Sequence, residues 1–219
     1  MEYKGISIEW LHHDCFVIKG AGVTIFTDPY MVKEKYNSAD MVLVTHDHYD
    51  HLDVDSIKKV AKKSTVLVAP RDCAEKLSGL GMETIPVKPD EVKIIRNVTI
   101  RTVMSYNTNK FRAQGEVFHP KEKGNVGYVF MVGNVKFYIT GDTDFIPEMS
   151  RIKADVALLP VSGTYVMTPE EAAEAAKTIK AELTIPMHYG SGIGTVEEAR
   201  KFSKLVPKGM RVEILDSIE

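Results

Sequence analysis

Apolar residues along the chain gather in short, β-branched runs rather than long helical stripes. The runs are ISIEW, CFVIKG, VTIFTDP, MVLVTH and TVLVAP, then VKIIRNVTIRTV, GYVFMV, VKFYITGD, DVALLPV, LTIPMH and RVEIL. Such runs, bounded by Gly, Pro, Asn or Asp, predict strands. Gly133-Asn134, between two of them, predicts a tight hairpin turn. Helical patterns interrupt the strands at 52–63, 71–79, 168–180 and 195–206. Two of these helices mark their own starts: Thr168 with Pro169 and Glu171 forms a capping box with a first-turn proline, and Thr195 with Glu198 repeats the box. The architecture is mixed, with meander-like antiparallel pairing in the middle. A doubly wound nucleotide fold would alternate strand and helix regularly and carry a Gly-rich loop after its first strand, and neither is present. No repeat or long linker divides the sequence, so a single domain over 1–219 is expected.

Composition narrows the class. With 219 residues, 44% of them hydrophobic, the chain can bury a sizeable core. Its 28 basic and 30 acidic residues are mixed and leave a net charge of −2, so no overall field draws nucleic acid or an anionic membrane. Cys15 and Cys73 are too few for a disulfide framework, which points to a reducing compartment. The first twenty residues resemble neither a secretory signal nor a membrane span. A cytoplasmic protein is expected.

Polar residues cluster where the apolar runs end. VTIF leads into Thr27-Asp28-Pro29, MVLV into Thr45-His46-Asp47-His48, VKFYI into Thr140-Gly141-Asp142-Thr143-Asp144, and LTIP into Met187-His188. Strand ends at one sheet edge bring ligands from distant parts of the chain together on rigid supports. His46, His48 and His51 lie within six positions, interleaved with Asp47, Asp50 and Asp53. Imidazole and carboxylate suit zinc, iron or manganese, whereas a thiolate site would need more cysteine. Histidines two apart on an extended loop can bind one ion while Asp50-His51 faces a second, with a carboxylate such as Asp142 bridging them. Two metals about 3.5–4 Å apart would lower the pKa of a shared water toward about 7 and make it a nucleophile.

THDHYDHLD, TGDTD and PMHYG, in that order, resemble the metallo-β-lactamase superfamily of metal-dependent hydrolases. WLHHDCFVI and TDPY narrow the resemblance to its cytoplasmic branch of small lactonase-like and phosphodiesterase-like proteins. The resemblance spans most of the chain and implies an α/β fold, a four-layer αββα sandwich with metals at one edge of two sheets. It implies two divalent ions, zinc first, with manganese or iron as alternatives. His46 and His48 would bind the first and Asp50 and His51 the second, with Asp142 as the bridging carboxylate and His188 completing the second site. A third histidine for the first metal is expected between the histidine-rich loop and the bridging aspartate. His119 is the one histidine there, and Asn107 is the alternative place. His13 is expected to line the pocket or contact substrate, and Asp50 to take or relay a proton. Asp28 is expected to orient a metal-bound imidazole. His12, the neighbour of His13 on a strand, would face the other way.

The function expected from these residues is hydrolysis of an ester, lactone or phosphodiester. The expected partner is a small-molecule substrate, with no membrane and with nucleic acid disfavoured. Lys110, Arg112, Lys121 and Lys123 around His119 could draw an anionic substrate, and Tyr106, Tyr165 and Tyr189 could shape the pocket. A metallo-nuclease is the first alternative, disfavoured by the lack of a large inserted domain or basic arm. A flavodiiron oxidoreductase would show glutamate in place of His48. A non-catalytic metal-binding protein on the same scaffold is a third reading, and Asp50, which such a protein need not keep, favours the enzyme.

Overall fold

A computed structural model describes residues 1–219. The chain forms two compact units, one of Met1–Lys88 with Leu215–Glu219, the other of Pro89–Ile214.

In the first unit, β1 (Glu2–Tyr3), β2 (Ile6–His12), β3 (Cys15–Gly20), β4 (Val23–Thr27), β5 (Ala39–Leu43), β6 (Ala61–Pro70) and β7 (Glu83–Val87) lie side by side in chain order. The pairings from β1 to β4 are antiparallel and those from β4 to β7 parallel. Parallel neighbours need crossover connections. Helices α1 (Val54–Val60) and α2 (Arg71–Leu77) occupy two of these. Phe26, Val42, Val44, Leu67 and Ala69 from the strand region pack with Ile57, Val60, Cys73 and Leu77 from the helices in one buried cluster. The alternate residues Ile25, Met41, Leu43, Val66 and Val68 are buried as well. Burial on both faces is why these strands read as continuous apolar runs instead of alternating ones.

The second unit repeats the plan. It begins with β8 (Val92–Ile95) and β9 (Val98–Met104), followed by a small hairpin of β10 (Phe111–Ala113) and β11 (Glu116–Val117). Then come β12 (Val126–Val132), β13 (Val135–Ile139), β14 (Val156–Pro160), α3 (Pro169–Ile179), β15 (Leu183–Met187), α4 (Val196–Leu205) and β16 (Arg211–Val212). Its large sheet runs β8-β9-β12-β13-β14-β15-β16, antiparallel up to β13 and parallel beyond it. Both expected capping boxes are present, at Thr168 with Glu171 and at Thr195 with Glu198. The fit between strands is close at Gly127, where a Cβ would lie 2.8 Å from the carbonyl oxygens of both Ile139 and Thr140.

Three boundaries differ from the sequence expectation. The run at 92–103 is two strands, because Arg96 and Asn97 both take positive φ (48° and 64°) and close a tight turn of the primed kind. The helix expected over 52–63 spans only Val54–Val60, since Ala61 already begins β6. The one expected over 71–79 stops at Leu77 and continues as a 3-10 turn, Ser78–Leu80, ended by Gly81 at φ 71°. No helix is long and apolar enough to cross a membrane.

Candidate metal centre

In the first unit the chemistry gathers beyond β4 and β5. Asp28 follows β4 with φ 35° and donates its N–H to the Leu43 carbonyl. Its Oδ1 accepts from the Thr45 N–H at 2.8 Å, and its Oδ2 lies 2.6 Å from the Thr45 hydroxyl and 2.8 Å from His51 Nδ1. Because the Thr45 proton goes to Asp28, the 3.0 Å contact between Thr45 Oγ1 and His46 Nδ1 is donated by the imidazole. Asp28 thus holds His51 directly and His46 through Thr45, each with Nδ1–H turned inward, which leaves Nε2 as the ring nitrogen that could bind a cation. Full burial pushes the Asp28 carboxyl up from its ordinary range, against the opposing pull of His51 and Thr45.

The three aspartates of the histidine-rich loop have separate tasks. Asp47 pairs with Lys76 at 2.9 Å, and Asp53 caps α1 through the Asp55 and Ser56 N–H groups. Asp50 places Oδ2 3.3 Å from His13 Nε2. The turn after β2 creates that contact: His13 sits at φ 51°, fully buried, with its carbonyl accepting from Trp10 Nε1 at 2.9 Å. His13, Asp50 and His51 offer ligand atoms within 4.8 Å of one another. His12 points elsewhere, toward Glu219 at 3.5 Å. The rings of His46 and His48 lie edge to face with centroids 4.6 Å apart. Asp14, which the sequence did not single out, is also buried and lies 3.8 Å from His51 Nδ1.

In the second unit, Asp142 follows β13 after a turn at Gly141 (φ 62°). Its Oδ2 is 3.2 Å from His119 Nε2 and its Oδ1 is 3.3 Å from His188 Nε2. One carboxylate therefore presents a different oxygen to each of two imidazoles. His188 follows β15 with φ 61°, and its Nδ1 lies 2.9 Å from the hydroxyl of Ser162, which follows β14. The Ser162 hydroxyl itself donates to the Thr164 carbonyl, so it accepts from His188 Nδ1–H. His119 is only 1% exposed, a buried group and no surface-loop residue. Asn107, the alternative place for a ligand, stands behind His119 with Oδ1 2.7 Å from Nδ1.

The donor set is imidazole nitrogen and carboxylate oxygen, which fits a borderline or hard divalent cation. Thiolate does not contribute: Cys15 and Cys73 are buried and free, and burial pushes the Cys73 thiol up to about 12. Three of the basic residues around His119 pair with carboxylates. Lys110 meets Glu171 at 2.8 Å and Asp144 at 3.3 Å, Arg112 meets Glu116 at 3.1 Å, and Lys121 meets Glu148 at 2.9 Å. Tyr106 is buried and donates to Glu148, while Tyr165 packs edge-on against Phe118.

The sequence profile of the beta-lactamase superfamily domain matches residues 7–188. A UPF0173 metal-dependent hydrolase of Pyrococcus furiosus is 32% identical over 232 aligned positions, covering 96% of each chain. Among solved structures, a Parabacteroides distasonis protein described as a candidate metal-dependent hydrolase superposes with a TM-score of 0.81 at 28% identity, over 97% of this chain and 93% of its own. A metallo hydrolase of Ignicoccus hospitalis shares the fold at a TM-score of 0.76 and 21% identity, covering 98% and 96%. With strand-end histidines and aspartates in both units and a profile match across most of its length, this chain belongs to the metallo-β-lactamase superfamily, among relatives named metal-dependent hydrolases.

Proposed function

We propose that the protein carries out the metal-dependent hydrolysis of an ester, lactone or phosphodiester in a small-molecule substrate. In this reading His46, His48, His119 and Asp142 hold one divalent cation, and Asp50, His51, His188 and Asp142 hold a second. Zinc is the first choice, with manganese or iron as alternatives. The observation that supports it most is Asp142, whose two oxygens lie beside the Nε2 atoms of two separate histidines, an arrangement that would let one carboxylate serve both cations. When bound, such cations supply Lewis acidity, bringing the pKa of water toward about 7 and stabilising negative charge as it develops on substrate.

The chain's own residues do the remainder. Asp28, Thr45 and Ser162 keep three imidazoles oriented, so the ligating nitrogens need no reorganisation. Asp50 takes a proton and returns it to the leaving group, with His13 at its Oδ2 steadying the carboxylate during the transfer. The cationic support for an anionic substrate is weakened by the internal pairing of Lys110, Arg112 and Lys121, so an uncharged ester or lactone stands level with a phosphodiester. Two free, buried cysteines support a cytoplasmic setting.

The test is metal analysis of the purified protein together with a screen of model lactones, thioesters and phosphodiesters, with and without chelator. Turnover that requires the metal and collapses in Asp50→Asn and Asp142→Asn is expected. Turnover indifferent to the chelator and to both substitutions would overturn the reading.

A further inference from the structure

Asn107 is 4% exposed and uses all four hydrogen-bonding positions of its amide. Its Nδ2 donates to Asp144 Oδ1 at 3.0 Å and to the Tyr165 carbonyl at 2.9 Å. Its Oδ1 accepts the backbone N–H of His119 at 3.0 Å and faces His119 Nδ1 at 2.7 Å. Chemistry fixes which way this amide points. An ionised carboxylate and a peptide carbonyl can only accept, and a peptide N–H can only donate, so the nitrogen must face Asp144 and Tyr165 and the oxygen must face His119. An oxygen that only accepts then requires the proton of the facing imidazole to be on Nδ1. That leaves Nε2, the atom beside Asp142 Oδ2, as the ligating nitrogen of His119.

Asp144 gives this arrangement its stiffness. Besides Asn107 it accepts the N–H groups of Thr108 at 2.6 Å and Asn109 at 2.8 Å, and it meets Lys110 at 3.3 Å. Lys110 continues to Glu171, the capping-box residue of α3. The loop leaving β9 is therefore tied to a helix start on one side and to an imidazole on the other.

We propose that Asn107 is a positioning residue for metal binding: held by Asp144, it presents its carbonyl oxygen to His119 and fixes that ring with Nε2 as the ligand atom. This rests on the reading of His119 as a metal ligand. It also gives each of the four best-oriented histidines a backing group: Asp28 for His51, Thr45 for His46, Ser162 for His188 and Asn107 for His119.

The experiment titrates metal-free protein with zinc alone, by calorimetry in competition with a chelator, and follows urea unfolding of each metal-free variant as a fold control. His119→Ala is expected to lose one zinc equivalent. Asn107→Leu, branched at Cγ like the amide and unable to accept, is expected to weaken that same equivalent by about 10–100-fold and leave the other unchanged. The exchange Asn107→Asp with Asp144→Asn keeps an acceptor facing His119 and a donor–acceptor pair between positions 107 and 144, gives up the donation to the Tyr165 carbonyl and the ion pair with Lys110, and is expected to recover part of the loss. A merely structural role for Asn107 would not produce a loss confined to one equivalent and partly recovered by the exchange. Should Asn107→Leu fail to fold, Asn107→Ala makes the same comparison. If Asn107→Leu and Asn107→Ala bind both equivalents like the parent while His119→Ala loses one, the positioning role is overturned and the hydrolase reading stands. If His119→Ala also binds both, the ligand assignment itself falls, and this inference with it.

Discussion

The two units build the same sheet plan and place polar residues at matching strand ends, yet they turn them to different uses. The fourth strand of each sheet is followed by an aspartate, Asp28 after β4 and Asp142 after β13. Asp28 faces imidazoles at Nδ1, directly at His51 and through Thr45 at His46, whereas Asp142 faces imidazoles at Nε2. The second strand of each sheet leads to His13 in one unit and to Asn107 in the other. A strand position thus selects for a polar group at the edge of a sheet. Which ring nitrogen that group meets decides whether it supports a ligand or competes to be one.

Removing the two aspartates should separate these uses. Asp142→Ala is expected to lower metal-dependent turnover by more than about 100-fold and to release bound metal, read by elemental analysis of the purified variant. Asp28→Asn keeps the shape but forfeits the charge that holds His51, and a loss of about 10–100-fold in zinc affinity is expected in the chelator competition. Ser162→Ala removes one neutral hydrogen bond worth about 0.5–1.5 kcal/mol, so the loss there should be about 2–12-fold. An effect of Ser162→Ala equal to that of Asp28→Asn would remove the contrast between a charged and a neutral backing group.

Stability offers smaller contrasts. Leu67→Ala, in the buried cluster under α1 and α2, is expected to cost about 2–5 kcal/mol in urea unfolding and to leave the donor set intact. In the second unit, burial alone would raise the Glu171 carboxyl, but the hydrogen bonds from Lys110 and Asn109 and from the Thr168 backbone outweigh it and hold it below the usual carboxylate range. A carboxylate with a depressed folded-state pKa contributes stability above its unfolded pKa of about 4.3 and loses it as pH falls through the lower folded value. Parent protein should therefore lose more stability than Glu171→Gln between pH 5.5 and 3.5, by roughly a few tenths to 1 kcal/mol after screening. Equal losses would assign the acid sensitivity elsewhere.

How much of this could be read from residue order follows the same contrast. In the first unit His46, His48, Asp50 and His51 are contiguous, so their spacing carries the pattern without knowledge of the sheet. In the second, Asp142 and His188 are 46 positions apart, and only their places at the ends of apolar runs single them out. His119 has no strand before it of comparable length, and its backbone N–H donates to Asn107 twelve residues earlier. No local pattern links those two. The role of Asp144 was equally hidden, because a second aspartate in TGDTD reads as turn chemistry until its partners at 107–110 are in place. The pairing of Lys121 and Lys110 was hidden for a related reason: their carboxylate partners Glu148 and Glu171 lie 27 and 61 residues away. The turn at Arg96-Asn97 was readable only from one asparagine, without the glycine that usually marks such turns.

Gly127 carries a lesson of another kind. It has no part in the donor set, yet any replacement would drive a carbon into the two carbonyl oxygens at the end of β13, a few residues before Asp142. A saturation library at this position should therefore return only the parent residue among active clones. An engineer reshaping the surroundings of Asp142 would meet a position closed to every side chain on a neighbouring strand, outside the chemistry altogether.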